Sequence, residues 1–110
     1  MPSFSRNNVV LVRFPFSDLS NAKIRPAVVV SSPHVSQDIF VVALTSKKSS
    51  LRSGEFVLND WSIAGLNVET ALKRAVFSIR EQLVLKTVGT LSNLDIVELN
   101  ESLRVWFGLD

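Results

Sequence analysis

The sequence contains no cysteine and only one histidine. Without cysteine the chain forms neither disulfides nor thiolate metal sites. A single histidine gives no basis for a zinc site, and His34 lies in a turn-like Ser-Pro-His-Val context that predicts an exposed loop residue. We therefore expect no metal and no other cofactor.

Several other features are missing. No apolar run approaches the roughly 18 residues that cross a bilayer, and the first ten residues lack the layout of a secretory signal. The sequence has no P-loop, no GxGxxG motif and no nucleophile motif of a Ser-His-Asp triad, and its carboxylates are scattered. These absences argue against most metal-dependent nuclease designs, and we expect a cytoplasmic protein.

The sequence does provide enough apolar residues for one core. Its 110 residues are 46% hydrophobic, which suits a single domain spanning residues 1–110. The net charge of +2 is unevenly distributed. Residues 1–54 carry seven basic and two acidic side chains, whereas residues 55–110 carry five basic and eight acidic ones. The basic first half is either a surface that attracts phosphate or a solvated surface with chance asymmetry.

Short apolar runs separated by turn residues predict five or six strands followed by one helix. The expected strands cover residues 9–14, 27–30, 38–44, 55–58, 70–79 and 83–88, the last ended by Gly89. Ser92 is the expected N-cap of the helix and Gly108 its C′ residue. The apolar residues at helical spacing are Ile96, Leu99, Leu103, Trp106 and Phe107. This pattern predicts an antiparallel sheet that curls into a small barrel.

The chemistry that remains uses arginine and hydroxyl groups. Arg25 precedes a proline at the mouth of one strand, and Thr45 and Ser46 lie at the end of the next. RNA cleavage by its own 2′-hydroxyl needs no metal and no protein nucleophile. The protein must supply a base, charge and hydrogen bonds for the phosphorane, and help for the departing 5′-oxygen. A guanidinium fits two phosphate oxygens, but from spacing alone the commoner explanation is an ordinary strand-end side chain at each position.

The segment 9–30, VVLVRFPFSDLSNAKIRPAVVV, resembles the opening of the PemK/MazF family of toxins, with its FPFSDLS and K-x-RP elements. Residues 39–46 (IFVVALTS) resemble the second block of that family. The W-x-x-x-G-L pattern beginning at Trp61 and the segment 76–92 are similar to later blocks. The resemblance covers nearly the whole chain, and its first block is the most specific.

This resemblance implies a mainly β (α+β) fold, a small SH3-like, CcdB/PemK-type antiparallel β-barrel with a C-terminal helix. It also implies a homodimeric, sequence-specific endoribonuclease that cleaves single-stranded RNA and is neutralised by an antitoxin protein. Arg25 falls on the catalytic arginine of the family and Thr45 on its threonine, while residues 17–23 fall on the substrate loop. The expected products are a 2′,3′-cyclic phosphate and a 5′-hydroxyl.

Other residues are expected to bind substrate. Basic loop and strand residues would follow the flanking phosphates, and Phe16 would stack a base, whereas Phe14 is expected in the core. The predicted substrate-binding residues are Phe16, Ser17, Asp18, Lys23, Ser46, Lys47, Lys48, Arg52, Lys73 and Arg74. Trp106 and Phe107 are expected to make core or dimer contacts.

Two alternatives remain open at this point. One is a toxin of the same fold that inhibits a topoisomerase by protein contact, as the related CcdB family does. The other is a barrel that binds nucleic acid or an antitoxin without cleaving RNA. Both keep the fold and abandon the chemistry of Arg25 and Thr45.

Overall fold

The computed structural model describes residues 4–14 and 23–109. Within these two stretches, six strands and one α-helix form the regular structure. The strands are Asn8–Phe14 (β1), Lys23–Val29 (β2), Asp38–Thr45 (β3), Phe56–Val57 (β4), Ala71–Arg80 (β5) and Val84–Thr90 (β6), and the helix is Asn93–Phe107 (α1). A 3₁₀ turn, Glu81–Leu83, joins β5 to β6. The expected mainly β fold with a C-terminal helix is confirmed.

All six strands belong to one antiparallel sheet with the order β4-β5-β3-β2-β1-β6. Among the described residues, β4 and β6 are its two edges. The sheet is therefore a curled half-barrel, which is the open form of the barrel that the strand pattern predicts. The ends of β2 and β3, where the candidate catalytic residues lie, are in the middle of this sheet.

The strand β2 begins four residues earlier than the sequence pattern indicates. Proline at position 26 favours an extended conformation at Arg25, and Pro26 itself pairs with Leu11 of β1. Pro26 has no N–H to donate, and the pairing of β2 with β3 begins only at Ala27. Residues 23–26 therefore form a strand that is paired on one side and free on the other.

The prediction that Gly89 ends the last strand is wrong, because β6 continues to Thr90 and Gly89 lies inside it. A Cβ added to Gly89 would lie 2.3 Å from the carbonyl oxygen of Ala64, and one added to Gly65 would lie 2.1 Å from that of Val88. Only glycine allows the two backbones to approach so closely. This contact fixes the segment between β4 and β5 against β6.

Two apolar clusters lie on opposite faces of the sheet, because neighbouring strand residues alternate between them. The helix-side core includes Val9, Val28 and Val42 of the sheet and is covered by Leu99 and Leu103 of α1. The groove-side core consists of the next residues along the strands, and no α1 residue packs against it within the described part of the chain. Its buried members are Val10, Val12, Phe14, Ala27, Val29, Ile39, Val41 and Ile79. Phe14 is thus in the core, as expected.

The helix α1 begins and ends where its capping residues predict. Ser92 Oγ accepts a hydrogen bond from the backbone N–H of Asp95, and Gly108 has the left-handed conformation of a C-terminal cap. Trp106 packs against the helix-side core, whereas Phe107 is 56% exposed and does not extend the apolar face. No helix among the described residues is long and apolar enough to cross a membrane.

Candidate active site

Arg25 and Thr45 occupy matching positions on neighbouring strands. The pairing of β2 with β3 ends at Ala27 opposite Ala43, and Arg25 and Thr45 each lie two residues beyond this last pair. Arg25 also lies opposite Val12 of β1, on the groove side of the sheet. The two predicted catalytic residues therefore come together, and both line two adjacent cavities.

The first cavity, which we call the cationic cavity, has a volume of about 400 Å³. Of the described residues that line it, three are basic and none is acidic, and the others are apolar apart from Thr45. Its lining consists of Phe14, Lys23, Arg25, Ala43, Leu44, Thr45, Lys73, Ala75 and Phe77. The rings of Phe14 and Phe77 are tilted by 55° with centroids 5.2 Å apart. A cavity lined by cations and aromatic rings suits a nucleotide, because the cations attract its phosphate and the rings can stack on its nucleobase.

The second cavity, which we call the polar cavity, has a volume of about 520 Å³ and shares Arg25 and Thr45 with the first. Ser46, Lys47 and Asn67 are among its other lining residues. The arginine–threonine pair thus lies between two cavities. An RNA strand that crosses this pair of side chains would have space for one nucleotide in each cavity.

The guanidinium of Arg25 is exposed, and Nη1 donates to the carbonyl oxygen of Ile24 at 3.0 Å. It forms an ion pair with none of the carboxylates in the described stretches. A guanidinium keeps its charge at any physiological pH. The charge of Arg25 is thus available for an anion, and its planar fork offers two parallel donors.

The hydroxyl group of Thr45 is held by the chain that follows it. Thr45 Oγ1 accepts a hydrogen bond from the backbone N–H of Lys47 at 3.1 Å. This bond uses a lone pair of the oxygen and leaves the hydroxyl proton free to donate. Thr45 is half-buried at the wall of both cavities, so its hydroxyl suits a phosphate oxygen bound beside Arg25.

Lys73 reaches the cationic cavity from a bulge in β5. Leu72 pairs with Leu44 and Val76 pairs with Val42, so residues 73–75 lie opposite Ala43 alone. The ammonium group of Lys73 lies 3.4 Å from Oε2 of Glu55. Bulges redirect side chains next to functional sites, and here the bulge places a lysine on the cavity wall.

The carboxylate of Glu55 is almost fully covered, with 2% of the side chain exposed. Its Oε1 accepts from the backbone N–H of Arg52 at 2.7 Å, and its Oε2 accepts from that of Arg74 at 2.8 Å. Burial alone would raise the pKa of Glu55, but these two N–H donors and the charge of Lys73 outweigh it and lower the pKa below 4.5. Glu55 is therefore ionised at neutral pH.

Of the predicted substrate-binding residues, Lys23 and Lys73 line the cationic cavity, and Ser46 and Lys47 line the polar cavity. The structure does not bring three other residues into the lining of either cavity. Lys48 pairs with Glu69, while Arg52 and Arg74 are exposed and contact Glu55 through their backbone N–H groups. Phe16, Ser17 and Asp18 lie outside the described residues. His34 is exposed, as expected.

The sequence analysis did not identify Glu55, Asn67 or Phe77 as site residues. Phe77 could have been identified from the sequence, because it occupies the same alternate positions of its strand as Lys73 and Ala75. Glu55 could not, since its position depends on the pairing of β4 with β5. In the part of the chain that the structure describes, no three His, Cys, Asp or Glu side chains cluster as metal ligands would.

Comparisons with known proteins agree with this architecture. The sequence model of the PemK-like, MazF-like toxins of type II toxin–antitoxin systems matches residues 5–107. A search of curated proteins gives no significant match.

Solved structures share the fold at low sequence identity. A mycobacterial endoribonuclease in complex with its cognate antitoxin is 13% identical, with a TM-score of 0.76 and 98% of each chain covered. The Mycobacterium tuberculosis toxin MazF-mt6 is 18% identical, with a TM-score of 0.75, covering 94% of this chain and 98% of that one. MazF from Deinococcus radiodurans is 18% identical, with a TM-score of 0.76, covering 99% of this chain and 100% of that one. The family match spans nearly the whole sequence, and the chain belongs to the PemK-like, MazF-like toxins of type II toxin–antitoxin systems.

Proposed function

We propose that this chain is a sequence-specific endoribonuclease toxin that cleaves single-stranded RNA without a metal ion. The observation that carries the proposal is that Arg25 and Thr45, on neighbouring strands, both line the same two adjacent cavities. The family membership supports the same activity, because its structural neighbours include endoribonucleases.

In the proposed reaction the ribose 2′-oxygen attacks the adjacent phosphorus while a base takes the 2′-hydroxyl proton. The bond from phosphorus to the 5′-oxygen then breaks, and that oxygen takes up a proton. The products are a 2′,3′-cyclic phosphate and a 5′-hydroxyl. No water and no protein nucleophile enters the bond-breaking step.

Arg25 and Thr45 stabilise the negative charge that grows on the phosphorane. The guanidinium of Arg25 contacts two of its oxygens and favours departure of the 5′-oxygen by its charge, since a guanidinium is a poor proton donor. The hydroxyl of Thr45 donates to a phosphate oxygen, because the N–H of Lys47 uses only one of its lone pairs and leaves the proton free. Donors fixed before the reaction starts are more effective than donors that must reorient.

The other residues hold the strand on both sides of the scissile phosphate. Lys23 and Lys73 neutralise phosphate in the cationic cavity, and Ser46 and Lys47 do so in the polar cavity. We propose that Phe16, Ser17 and Asp18 also contact the substrate. Lys48, Arg52 and Arg74 would reach only phosphates beyond the two cavities, since none of them lines either one.

The proposed biological setting is that of a cytoplasmic toxin acting as one domain and as a homodimer, neutralised by an antitoxin protein. Support comes from two relatives of the same fold that were solved with their antitoxins, the mycobacterial endoribonuclease and MazF of Deinococcus radiodurans with MazE. An antitoxin that covers Arg25 and the cations around it would block access of RNA to both cavities.

The test is cleavage of a long single-stranded RNA transcript by wild-type protein in the presence of chelator, with end-group analysis of the products. Arg25→Ala should lower the rate by about a hundredfold or more, since it removes a charge that stabilises the transition state. Arg25→Lys should retain part of the rate. Arg13→Ala is the matched control, because Arg13 is an exposed arginine on β1 that lines neither cavity.

Three results would contradict the proposal. Unchanged cleavage by Arg25→Ala would remove Arg25 from the mechanism. A strict requirement for divalent metal would exclude the 2′-hydroxyl route. Binding of RNA without turnover by wild-type protein would favour the non-catalytic alternatives, and inhibition of a topoisomerase would identify the CcdB-like one.

A further inference from the structure

Glu55 is a buried carboxylate next to the cationic cavity that the proposed reaction does not use. Its side chain is 2% exposed, whereas the side chain of its partner Lys73 is 41% exposed. Glu55 does not line the cavity, but Lys73 does. An acid in this position would weaken phosphate binding if it faced the substrate, so its role must depend on the groups that it holds.

The first of these groups is the bulge of β5. Residues 73–75 lie opposite a single residue of β3, which leaves the N–H of Arg74 without a ladder partner in that strand. Glu55 Oε2 accepts this N–H at 2.8 Å. A hydrogen bond from an N–H to a charged carboxylate is stronger than one between neutral groups, so Glu55 stabilises the bulged conformation. The conformation of the bulge in turn sets the position of the Lys73 backbone, from which its side chain extends.

The second group is the Lys73 ammonium itself. Extending the pairing of Phe56 with Leu72 by one residue places Glu55 opposite Lys73, and their charged groups are 3.4 Å apart. An ammonium has three N–H donors, and one carboxylate contact leaves two for other acceptors. A partly exposed ammonium held on one side therefore still presents donors to the cavity.

If Glu55 served only to hold the loop before β4, it would need fewer contacts than it makes. The bond from the Arg52 N–H to Glu55 Oε1 at 2.7 Å closes that loop without any contribution from Lys73 or Arg74. Two of the three contacts of Glu55 are instead made to the bulge of β5, which carries a cavity-lining cation. This distribution of contacts favours a role in the site.

We propose that Glu55 is a positioning residue that holds Lys73 and its bulge at the wall of the cationic cavity, where the ammonium binds a phosphate of single-stranded RNA. The inference rests on the proposed function and concerns the affinity for RNA rather than the bond-breaking step. Glu55 touches no substrate atom. Its removal should therefore raise KM and leave kcat nearly unchanged.

The experiment is a double-mutant cycle with Glu55→Gln, Lys73→Met and the double variant in the full chain. KM and kcat are measured on a single-stranded transcript, and affinity is measured with a fully 2′-O-methylated RNA oligonucleotide of random sequence, which cannot be cleaved through its 2′-oxygen. We expect each single variant to raise KM and Kd by about three- to tenfold, as for loss of one partly exposed ionic contact. The double variant should be no worse than Lys73→Met alone.

Salt dependence provides a readout that a merely structural role would not move. Loss of one phosphate contact reduces the slope of log Kd against log salt concentration by about 0.7 for a single strand. Lys73→Met and Glu55→Gln should both show this reduction. Glu69→Gln is the matched control, because Glu69 also pairs with a lysine but lines neither cavity, and its slope should equal that of the wild type.

Two outcomes would overturn the inference. An equal additional loss on adding Glu55→Gln to Lys73→Met would show that Glu55 acts independently of the lysine. An unchanged salt slope in Glu55→Gln, with thermal unfolding confirming a folded protein, would show that Lys73 is placed without it. Failure of the proposed function is distinguishable, because it would appear as wild-type protein without cleavage while the binding cycle stays interpretable.

Discussion

Among the described residues, two carboxylates with covered side chains, Asp95 at the start of α1 and Glu55 just before β4, differ in what holds them. Asp95 is fully buried. Its oxygens accept from the backbone N–H and the side-chain amide of Asn59 at 2.8 and 2.9 Å, and from the backbone N–H of Asp60 at 2.9 Å. All these donors are neutral, and the first turn of a helix favours a negative charge.

Glu55 also accepts from two backbone N–H groups, but its third partner is a cation that lines a cavity. A carboxylate satisfied entirely by neutral groups can serve only to join two segments, here α1 and the loop after β4. A carboxylate that shares its charge with a cavity-lining lysine is tied to whatever that cavity binds. Asp95, whose third donor is a neutral amide, is therefore a structural residue, whereas Glu55, whose third partner is the Lys73 ammonium, is a positioning residue.

The largest effect should follow from Asp95→Ala. This variant removes a fully buried carboxylate and leaves the partly buried N–H groups of Asn59 and Asp60 without their acceptor, and we expect a loss of about 3 kcal/mol in the free energy of unfolding. Urea unfolding followed by tryptophan fluorescence measures it. Cleavage per folded molecule should stay within about twofold of the wild type, because effects on distant sites are nearly independent. A lost kcat at full folding would contradict the comparison.

The faces and elements of the fold were largely predictable, because they depend on local patterns. Ser92 and Gly108 have the chemistry of helix caps, and the strand at residues 9–14 is rich in β-branched and aromatic residues. The position of Arg25 before a proline also marked a strand end. The exact bounds of β2 and β6 were not predictable, because they depend on pairing partners rather than on the chain itself.

The site was predictable in part. Strand β5 reads ALKRAVFSIR, in which Lys73 shares parity with Ala75, Phe77 and Ile79. In an unbroken strand this alternation would turn Lys73 and not Arg74 to the groove side, and Lys73 keeps that side at the bulge. The meeting of Glu55 with Lys73 depends on the register between β4 and β5. No pattern within either segment specifies that register, and for this reason Glu55 was missed.

The pH dependence of stability should separate Glu55 from an ordinary surface acid. Because its pKa is lowered in the folded state, Glu55 contributes stability that is present above its unfolded value of 4.5 and is lost as the pH falls through the lower folded value. We expect Glu55→Gln to lower the free energy of unfolding by about 1 kcal/mol at pH 7. The difference from wild type should shrink by about half or more as the pH falls below 4.

Three other charged groups near Glu55 set the control for this measurement. Lys73 forms the ion pair with Glu55, while Glu98 and Glu101 of α1 line a neighbouring surface cavity together with Glu55. Glu101→Gln, at an exposed position, should show a difference from wild type near zero at both pH values. A Glu55→Gln difference that stays constant down to pH 3 would mean that the ionised form is not the one the fold stabilises.

The smallest effect should come from Arg74→Gln. Arg74 is adjacent to Lys73 in sequence, but its side chain is exposed and lines neither cavity, while its backbone N–H bond to Glu55 does not depend on the side chain. We expect Kd for the 2′-O-methylated RNA to rise by less than about twofold, as for loss of a screened surface charge. Lys73→Met, measured in parallel, should weaken binding more and reduce the salt slope. Equal losses from the two variants would restore the sequence-based prediction that both residues bind substrate, and would show that the strand face does not decide which cation meets the RNA.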